Sequence, residues 1–322
     1  MNHLVAIVGP TGVGKSLLAL RLAQIFNGEI VSADSRQVYR YMDIGTSKPT
    51  SEDLALVPHH LINIVNPDEA FSLAQYQELA VKAIDDIGQH NKLIILVGGS
   101  GQYMWSILEG WRMPRVPPDP KYRHSLENKI SNNGKDGLYQ ELLKVDPIAA
   151  QRIGQHNVRR IIRALEVHRN TGTPISQLQY KEAPPYKTLT IGLTTDRAEL
   201  YYRIDLRVDG MIKQGLVEEV EKLKSMRYDF NLPAMSGIGY KQVGMFFRGE
   251  LALATAIQQI KFETHRFAKQ QYTWFQLGDN RIRWFDTRGK HDSQITSLVS
   301  EFLSDRSQDE TEKEDMIRDE VY

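Results

Sequence analysis

The chain has 322 residues, of which 41% are hydrophobic, and its 40 basic residues balance 40 acidic ones, which is typical of a globular protein with one large and one smaller domain. The absence of cysteine excludes disulfides, thiol nucleophiles and cysteine-bound metals. No apolar run is long enough to cross a membrane, the amino terminus leads directly into a core strand, and no oligomer seam is evident, so we expect a cytoplasmic monomer.

The first predicted strand, Leu4–Val8, leads into a glycine-rich loop with the spacing G-x-x-x-x-G-K-S and then into a helix. Glycines allow the backbone to turn so that several N–H groups face one anion, and the positive end of the helix adds to their field. Lys15 supplies a mobile cation, and the hydroxyl of Ser16 suits a magnesium ion, Mg2+, held by the same phosphates. The sequence therefore predicts a di- or triphosphate site formed by Gly9, Pro10, Thr11, Gly12, Val13, Gly14, Lys15 and Ser16.

A second core strand is predicted over Glu29–Ala33, and it is followed by Asp34, Ser35, Arg36 and Gln37. In open parallel sheets, ligands bind at the carboxyl ends of the strands. A carboxylate at this position can hold magnesium through water or accept a proton. A lone Asp at a strand end is also a common helix cap, so both interpretations stay open at this stage.

A further strand, Leu93–Val97, runs into the turn Gly98-Gly-Ser-Gly-Gln-Tyr103. Nucleotide hydrolases with a phosphate loop usually place an Asp at such a strand end to organise magnesium and water, and this chain has none there. The glycines allow close backbone approach, and Ser100 presents a hydroxyl beside the predicted phosphates. Capping of the following helix is its alternative role. His59 and His60 have no spaced partner, so we predict no histidine-bound metal.

A basic, helical segment then interrupts the core pattern between the proline-rich linkers Pro114–Pro120 and Pro184-Pro185. Residues 121–190 carry twelve Lys or Arg against six Asp or Glu, which suits a polyanion, although an ordinary solvated surface explains this charge equally well. Arg159, Arg160 and Arg163 cluster on one predicted helix, with the first and last on one face. We predict a core formed by 1–116 and 186–303, an inserted all-helical basic domain at 117–185, and a disordered acidic tail at 304–322.

The chain returns to the core with a strand over Thr188–Thr194. Alternation of strands and helices predicts an α/β fold with a parallel, P-loop NTPase-like sheet flanked by helices. Arg203 and Arg207 lie four residues apart on the next helix, and an anion would relieve their repulsion, so we assign both to the diphosphate pocket. Solvated or Asp-paired arginines are the alternative. A long helix over Leu251–Phe275 interleaves basic groups, amides and aromatics, which suits RNA, although core packing explains the aromatics equally well.

Taken together, these motifs resemble one known family, the tRNA dimethylallyltransferases, and the resemblance extends to about residue 290. The phosphate loop alone is common to many families, whereas the other motifs are far more specific. Ser100 stands where the family usually has Thr, and Gln270 stands where it usually has Arg. The motifs are Gly9–Ser16, Asp34-Ser-Arg-Gln37, Gly98–Tyr103, Arg159–Glu166 with Thr171-Gly172, Gly237–Gln242 and Ala268–Phe275.

The resemblance implies transfer of a dimethylallyl group from its diphosphate to N6 of the adenosine that is 3′-adjacent to the tRNA anticodon. The phosphate loop would hold the leaving diphosphate, with Mg2+ at Ser16, and Asp34 would accept the N6 proton, together with Lys15 and Ser100 as catalytic residues. The anticodon arm would be held by the basic insertion and by the strand-end motifs. The implied tRNA-binding residues are Asp34, Ser35, Arg36, Gln37, Ser100, Arg123, Arg159, Arg160, Arg163, Gly239, Tyr240, Lys241, Gln242, Lys269, Gln271 and Trp274.

Two other functions share parts of this pattern. A P-loop nucleotide or small-molecule kinase has the same phosphate loop and helix, and it predicts turnover of a nucleoside triphosphate. A non-catalytic RNA-binding protein could use the loop as a ligand sensor, and it would tolerate the change Asp34→Asn.

Overall fold

The computed structural model describes residues 2–133, 136–289 and 291–304, so the predicted acidic tail lies outside the described residues except for Ser304, which ends a helix. The described residues divide into two compact units. One unit is formed by the residues up to Met104 and those from Pro185 onward, and the other comprises Trp105–Pro184. None of the helices in the described part of the chain is long and apolar enough to span a bilayer.

Strands and helices alternate along the first unit and helices dominate the second. In chain order the elements are β1 (Asn2–Val8), α1 (Lys15–Ile25), β2 (Gly28–Ser32), α2 (Ser51–Leu56), β3 (His59–His60), α3 (Leu73–Gln89), β4 (Leu93–Val97), α4 (Gly101–Leu108), β5 (Trp111–Arg112), α5 (Pro120–Asn133), α6 (Asp136–Val145), α7 (Pro147–Ile153), α8 (Val158–Thr171), α9 (Ile175–Leu178), β6 (Tyr180–Lys181), β7 (Tyr186–Thr194), α10 (Arg197–Lys213), α11 (Leu216–Ser225), α12 (Tyr240–Phe247), α13 (Leu253–Trp274), β8 (Ile282–Asp286) and α14 (292–304).

The first unit is built on a six-stranded sheet in the order β3-β2-β4-β1-β7-β8, and all of its strands run parallel. Leu4 of β1 pairs with Ile94 on one side and Thr188 on the other. The central strands are apolar runs because helices cover both faces of such a sheet. This order confirms the predicted parallel α/β fold, and it places the carboxyl ends of β1, β4 and β2 side by side. The three loops that follow these strands therefore meet at one edge.

Two strands of the sheet were not predicted from the sequence. β3 has two residues at one edge of the sheet, and β8 pairs in parallel with β7 at the other, with Thr190 opposite Ile282. The segment that forms β8 contains Arg283 and partly exposed aromatic residues, so it lacks the buried apolar pattern of the central strands. Its position depends on β7, which provides a free edge.

The second unit has its own hydrophobic core, formed where α5, α6, α7, α8 and α9 pack together. Leu142 of α6 and Val167 of α8 are completely buried in it. α8 begins after Asn157, whose side chain accepts a hydrogen bond from the Arg160 N–H, and it ends at Gly172 in a left-handed conformation with φ of 70°. Such caps define both ends of the helix that carries the predicted arginine cluster.

Candidate active site

The loop between β1 and α1 has the backbone conformation that a phosphate-binding loop requires. Gly9, Gly12 and Gly14 have φ angles of 138°, 83° and 100°, a region that other residues rarely adopt. At Gly9 there is also no room for a side chain, because a Cβ would lie 2.4 Å from the carbonyl oxygen of Leu193. α1 starts at Lys15, directly after the last of these glycines, so its amino end faces the loop.

Gln271 fixes this loop from a distant part of the chain. Its side-chain Oε1 accepts a hydrogen bond of 2.7 Å from the backbone N–H of Thr11, and its Nε2 donates one of 3.0 Å to the carbonyl of Gly99. The residue is only 3% exposed, so its side chain does not face an RNA surface. We therefore reassign Gln271, expected as a tRNA contact, to holding the phosphate loop against the end of β4.

Lys15 is partly buried and lines two cavities of the site. Its Nζ donates a hydrogen bond of 2.8 Å to the carbonyl of Pro10. Burial and, next, the charge of Arg207 together lower the pKa of Lys15 to about 7, while the charge of Asp34 opposes this change. A group with this pKa is ready to gain a proton when an anion binds beside it.

The two arginines of α10 both line a cavity of about 460 Å³ that contains Lys15 and Ser16. Arg207 donates to the Ser47 hydroxyl at 2.9 Å and to the Thr11 hydroxyl at 3.2 Å, and burial lowers its pKa, with Asp34 opposing. Arg203 is engaged differently, because it donates to Glu199 at 2.6 Å and to the Thr287 hydroxyl at 3.0 Å. Arg207, with only hydroxyl partners, is the better placed of the two for an anion.

The residues that follow β2 and β4 contact each other through side-chain hydrogen bonds. Oδ1 of Asp34 accepts the backbone N–H of Arg36 at 2.8 Å, which fixes the carboxylate, and within the described residues its Oδ2 has no hydrogen-bond donor. The Ser100 hydroxyl accepts the backbone N–H of Ser35 at 3.0 Å and lies 3.2 Å from the Ser35 hydroxyl. The structure thus joins Ser35 to Ser100, next to Asp34 in the chain.

Gln37 uses both ends of its amide within the protein. Its Nε2 donates to the carbonyls of Thr46 and Ser47 at 3.3 and 3.1 Å, and its Oε1 accepts from the Ser32 hydroxyl at 2.9 Å. In this structure Gln37 therefore ties the segment around Ser47 to the end of β2. Contact with a base by the same amide would require exchange of one of these bonds.

A second, smaller cavity of about 80 Å³ combines polar and apolar walls. Lys15, Ser16 and Asp34 line it together with the apolar side chains of Ala19, Ile30, Val97 and Phe267. The phosphate loop, a carboxylate with an unused oxygen, and an apolar wall therefore surround one space. This arrangement suits a small apolar group attached to a phosphate.

The donor set of this space fits one magnesium ion that takes its other ligands from phosphates and water. Ser16 and Asp34 supply a hydroxyl and a carboxylate, and Mg2+ is usually bound by one or two protein carboxylates plus substrate phosphates. Among the residues that the structure describes there is no cluster of three His, Cys, Asp or Glu able to hold a metal without such help. His60 is paired with Glu29 at 2.6 Å, whereas His59 lines both cavities that contain Lys15.

Three residues expected to contact RNA make hydrogen bonds within the protein, and two of them are buried. Tyr240 is 1% exposed and its hydroxyl donates to Glu219 at 2.5 Å. Gln242 is 4% exposed and caps its own helix by accepting the N–H of Gly239 at 2.9 Å. The guanidinium of Arg36 donates to the carbonyl of Pro233 at 3.1 Å. Burial and these bonds give Tyr240 and Gln242 structural roles, whereas Arg36 is partly exposed and bonded to the protein backbone.

Other predicted RNA contacts remain on the surface of the first unit. Lys241 and Lys269 are exposed, and the Trp274 ring is 36% exposed while it packs over Gly101. A Cβ on Gly101 would lie 2.2 Å from that ring, so the glycine of the Gly-Gly-Ser-Gly turn makes room for the tryptophan.

The arginine cluster of the second unit divides into two pairs. Arg123 and Arg163 donate to Glu166, at 2.8 Å and 2.7 Å, and the Glu166 side chain is completely buried. Arg159 and Arg160 are exposed. Arg163 is therefore engaged within the second unit, because it donates to Glu166 and to the carbonyl of Val116 at 2.9 Å, and its contact with tRNA stays a prediction.

Comparisons with known proteins agree with this geometry. Residues 37–278 match the family described as IPP transferase. A tRNA dimethylallyltransferase of Roseiflexus sp. (strain RS-1) is 54% identical over 303 residues, which cover 94% of this chain and 99% of that protein. The solved tRNA isopentenylpyrophosphate transferase from Bacillus halodurans is similar with a TM-score of 0.71 and 40% identity, covering 97% of this chain and 100% of its own. A eukaryotic dimethylallyltransferase acting on tRNA has a TM-score of 0.79 at 26% identity, covering 95% and 80%.

Proposed function

The chain belongs to the IPP transferase family, and from this premise we propose that it transfers a dimethylallyl group from dimethylallyl diphosphate to N6 of the adenosine 3′-adjacent to the anticodon of tRNA. It is a tRNA-modifying transferase, because relatives that cover 94% of it at 54% and 48% identity carry that activity in their names. The identity of the prenyl donor, the target base and the residue roles below are part of the proposal.

One observation carries the proposal most strongly: the phosphate loop and the Asp34 carboxylate line the same small cavity, which also has apolar walls. The end of β4, next to it, carries Gly98, Gly99 and Ser100 where a hydrolase would have an Asp to organise water. A site that grips a diphosphate without activating water is suited to a reaction in which diphosphate leaves from carbon.

In this reaction the bond between the allylic carbon and the diphosphate oxygen breaks, and a bond from that carbon to N6 forms. The loop N–H groups, Lys15 and Arg207 stabilise the negative charge that develops on the departing diphosphate. A magnesium ion held by Ser16 and the phosphates would supply further neutralisation of that charge. The N6 proton passes to the unused oxygen of Asp34, whose other oxygen is held by the Arg36 N–H.

The target adenine has to leave the base stack of the anticodon loop to reach this cavity. In the second unit, the exposed pair Arg159 and Arg160 supplies positive charge for the phosphate backbone of the anticodon arm. Lys241, Lys269 and Trp274 offer exposed cations and an aromatic face on the first unit. These residues replace Gln271, Tyr240 and Gln242 as our candidates for RNA contact.

The test is to incubate the protein with dimethylallyl diphosphate labelled in its prenyl group, Mg2+ and unmodified tRNA that carries adenosine next to the anticodon. Label should enter the tRNA and be recovered as N6-prenyladenosine after digestion. The matched control is the same tRNA with guanosine at that position, which should gain no label. Two results together would contradict the proposal in favour of a kinase. No label would enter the adenosine tRNA, and ATP would be converted to labelled nucleotide products in a parallel reaction.

A further inference from the structure

The carboxylate of Glu219, on α11, is enclosed by donors from the loop that follows β2. Its Oε2 accepts the backbone N–H groups of Asp43 and Ile44, both at 2.8 Å. Its Oε1 accepts the N–H of Gly45 at 3.2 Å and the hydroxyl of Tyr240 at 2.5 Å. Three successive backbone N–H groups therefore converge on one side chain, as they do around a bound anion.

The two residues that follow this nest contact the candidate active site. Ser47 accepts a hydrogen bond from Arg207 through its hydroxyl, at 2.9 Å, and the carbonyls of Thr46 and Ser47 accept from Gln37 at 3.3 and 3.1 Å. Glu219 itself lines neither of the two cavities that contain Lys15. Any influence it has on the reaction is therefore exerted through Thr46 and Ser47.

The conformation of Ser47 shows why this segment needs support. Ser47 has a φ of 50°, in the left-handed region that residues with a side chain seldom adopt. Such a conformation persists only where the surroundings impose it. The turn is closed by hydrogen bonds of 3.0 Å from Ser47 N–H to the Ile44 carbonyl and from Lys48 N–H to the Asp43 carbonyl, so its first residues are those held by Glu219.

Tyr240 completes the support from the other side. Its buried ring lies so close to Gly45 that a Cβ there would be 2.5 Å from a ring carbon. Burial raises the pKa of the Tyr240 hydroxyl, and the neighbouring charge of Glu219 raises it further, so the hydroxyl stays protonated and donates. The tyrosine of the Gly237–Gln242 motif thus acts on the loop and not on RNA.

We propose that Glu219 is a positioning residue for prenyl transfer, which holds loop 43–47 so that Ser47 orients Arg207 toward the diphosphate and the 46–47 carbonyls orient Gln37. The inference rests on the proposed function of that site. Four donors converge on this position, so both atoms at the end of the side chain have to accept hydrogen bonds. A carboxylate meets this requirement, whereas an amide would turn its N–H2 group toward some of the donors. The expected consequence of Glu219→Gln is a disordered loop and a misplaced Arg207.

The test compares Glu219→Gln with Glu221→Gln, a change of the same kind at an exposed position of the same helix. Isothermal titration calorimetry with inorganic diphosphate and Mg2+ measures the affinity of the site for diphosphate without any turnover. Loss of two hydrogen bonds should weaken diphosphate binding by about tenfold in Glu219→Gln, and Glu221→Gln should bind within about twofold of the wild type. Amide hydrogen exchange at residues 43–45 should accelerate in the first variant only.

A double-mutant cycle separates positioning from a general loss of stability. Ser47→Ala removes one of the two hydroxyl partners of Arg207, the one on loop 43–47, so in that background Glu219→Gln should weaken diphosphate binding by clearly less than tenfold. Tyr240→Phe leaves the three backbone hydrogen bonds to Glu219 in place. This variant should fold fully and bind diphosphate about threefold more weakly than the wild type. It therefore tests the proposal even if Glu219→Gln does not fold.

Three results would overturn the inference: unchanged diphosphate affinity in Glu219→Gln despite faster exchange, equal losses in Glu221→Gln, or full additivity with Ser47→Ala. If the wild-type protein binds diphosphate tightly but transfers no prenyl group, only the proposed function is contradicted. The role of Glu219 in positioning the loop is then still tested by its effect on diphosphate binding. Wild-type protein that binds no diphosphate would overturn both.

Discussion

Gln271 lies 260 positions after Thr11 in the sequence, yet its Oε1 accepts the Thr11 backbone N–H at 2.7 Å. The same amide donates to the Gly99 carbonyl at 3.0 Å. A Cβ on Gly99 would lie 2.1 Å from that amide nitrogen, so the glycine is required for the approach. One buried side chain therefore sets the distance between the phosphate loop and the end of β4.

Replacing this amide should weaken both the fold and the site. Gln271→Met has a similar volume but leaves the Thr11 N–H and the Gly99 carbonyl without partners, which should lower the free energy of unfolding by about 2 kcal/mol. Diphosphate affinity should fall as the loop loosens. Chemical denaturation and diphosphate titration measure the two effects. The exposed neighbour Gln270, changed to Met, should alter neither by more than about 0.5 kcal/mol. Equal behaviour of the two variants would contradict the role of Gln271.

Asp34→Asn should abolish most of the prenyl transfer while tRNA binding is retained. The amide oxygen can still accept the Arg36 N–H, so the local structure should persist, but an amide does not accept the N6 proton. A general base typically contributes about 10²- to 10⁴-fold, and we expect a loss in this range. Single-turnover transfer to bound tRNA measures it, with Asp85→Asn on the exposed face of α3 as the control. Activity within a few-fold of the wild type would exclude Asp34 as the base.

Binding of diphosphate should take up a proton above neutral pH. The pKa of Lys15 is about 7 in the free protein, because of burial and then the charge of Arg207, and a bound anion favours the charged amine and raises it. Below pH 7 the amine is already protonated, so affinity is independent of this group. Above pH 7 binding must be accompanied by protonation, and affinity should fall by up to about tenfold per pH unit.

The proton uptake is measured by titration calorimetry at pH 8 in two buffers of different ionisation enthalpy. Lys15→Arg carries a permanent charge, so its binding should lack the uptake that the wild type shows. The comparison between the two proteins cancels the titration of the ligand itself. Identical uptake in both would assign the proton to another group.

The parallel sheet and the phosphate loop could be predicted from the sequence because both depend on local patterns. Apolar runs marked β1, β4 and β7, and the glycine spacing marked the loop. The start of α3 is equally local: Ser72 and Gln75 form a capping box, with the Gln75 N–H donating to the Ser72 hydroxyl at 3.3 Å.

The partners of buried polar residues could not be predicted, since they come from distant parts of the chain. Gln271 was interpreted as a surface residue because it is polar and lies among basic and aromatic neighbours. A signal was nevertheless present, because Gln271 continues the buried stripe of α13 that includes Ala256, Ile260 and Ala268. A polar residue on such a stripe indicates a buried hydrogen bond. Glu166 occupies the equivalent place on α8, between buried Leu165 and Val167.

Arg159 and Arg160 should govern the salt dependence of tRNA binding. Both are exposed on α8, so changing them to Ala should remove the two proposed phosphate contacts without loss of packing. The slope of log affinity against log salt should become shallower by about 1.5, and the KM for tRNA should rise. Measuring tRNA affinity between 50 and about 200 mM salt tests the change in slope. The control is a double variant in which the exposed Lys213 and Lys222 are both changed to Ala. Unchanged slopes would identify the arginine pair as an ordinary solvated surface.

Arg163, by contrast, should govern the stability of the second unit and its response to acid. Burial disfavours the charge on Glu166, but hydrogen bonds from Arg123, the Asp119 N–H and Arg163 outweigh burial and lower the pKa of Glu166 to about 2. Because the folded pKa is below the unfolded value near 4.5, the stabilisation is complete above pH 4.5 and is lost as the pH falls toward 2.

Two variants separate the contributions to this acid response. Glu166→Gln should lose part of the pH dependence of unfolding between pH 4.5 and about 2. Arg163→Ala should lower the free energy of unfolding by about 1 to 3 kcal/mol at pH 7, since a completely buried carboxylate loses one of its two guanidinium partners. Arg160→Ala, at an exposed position of the same helix, should change stability by less than about 0.5 kcal/mol. Denaturation curves that shift equally for Arg160→Ala and Arg163→Ala would show that the pairing with Glu166 does not stabilise the unit.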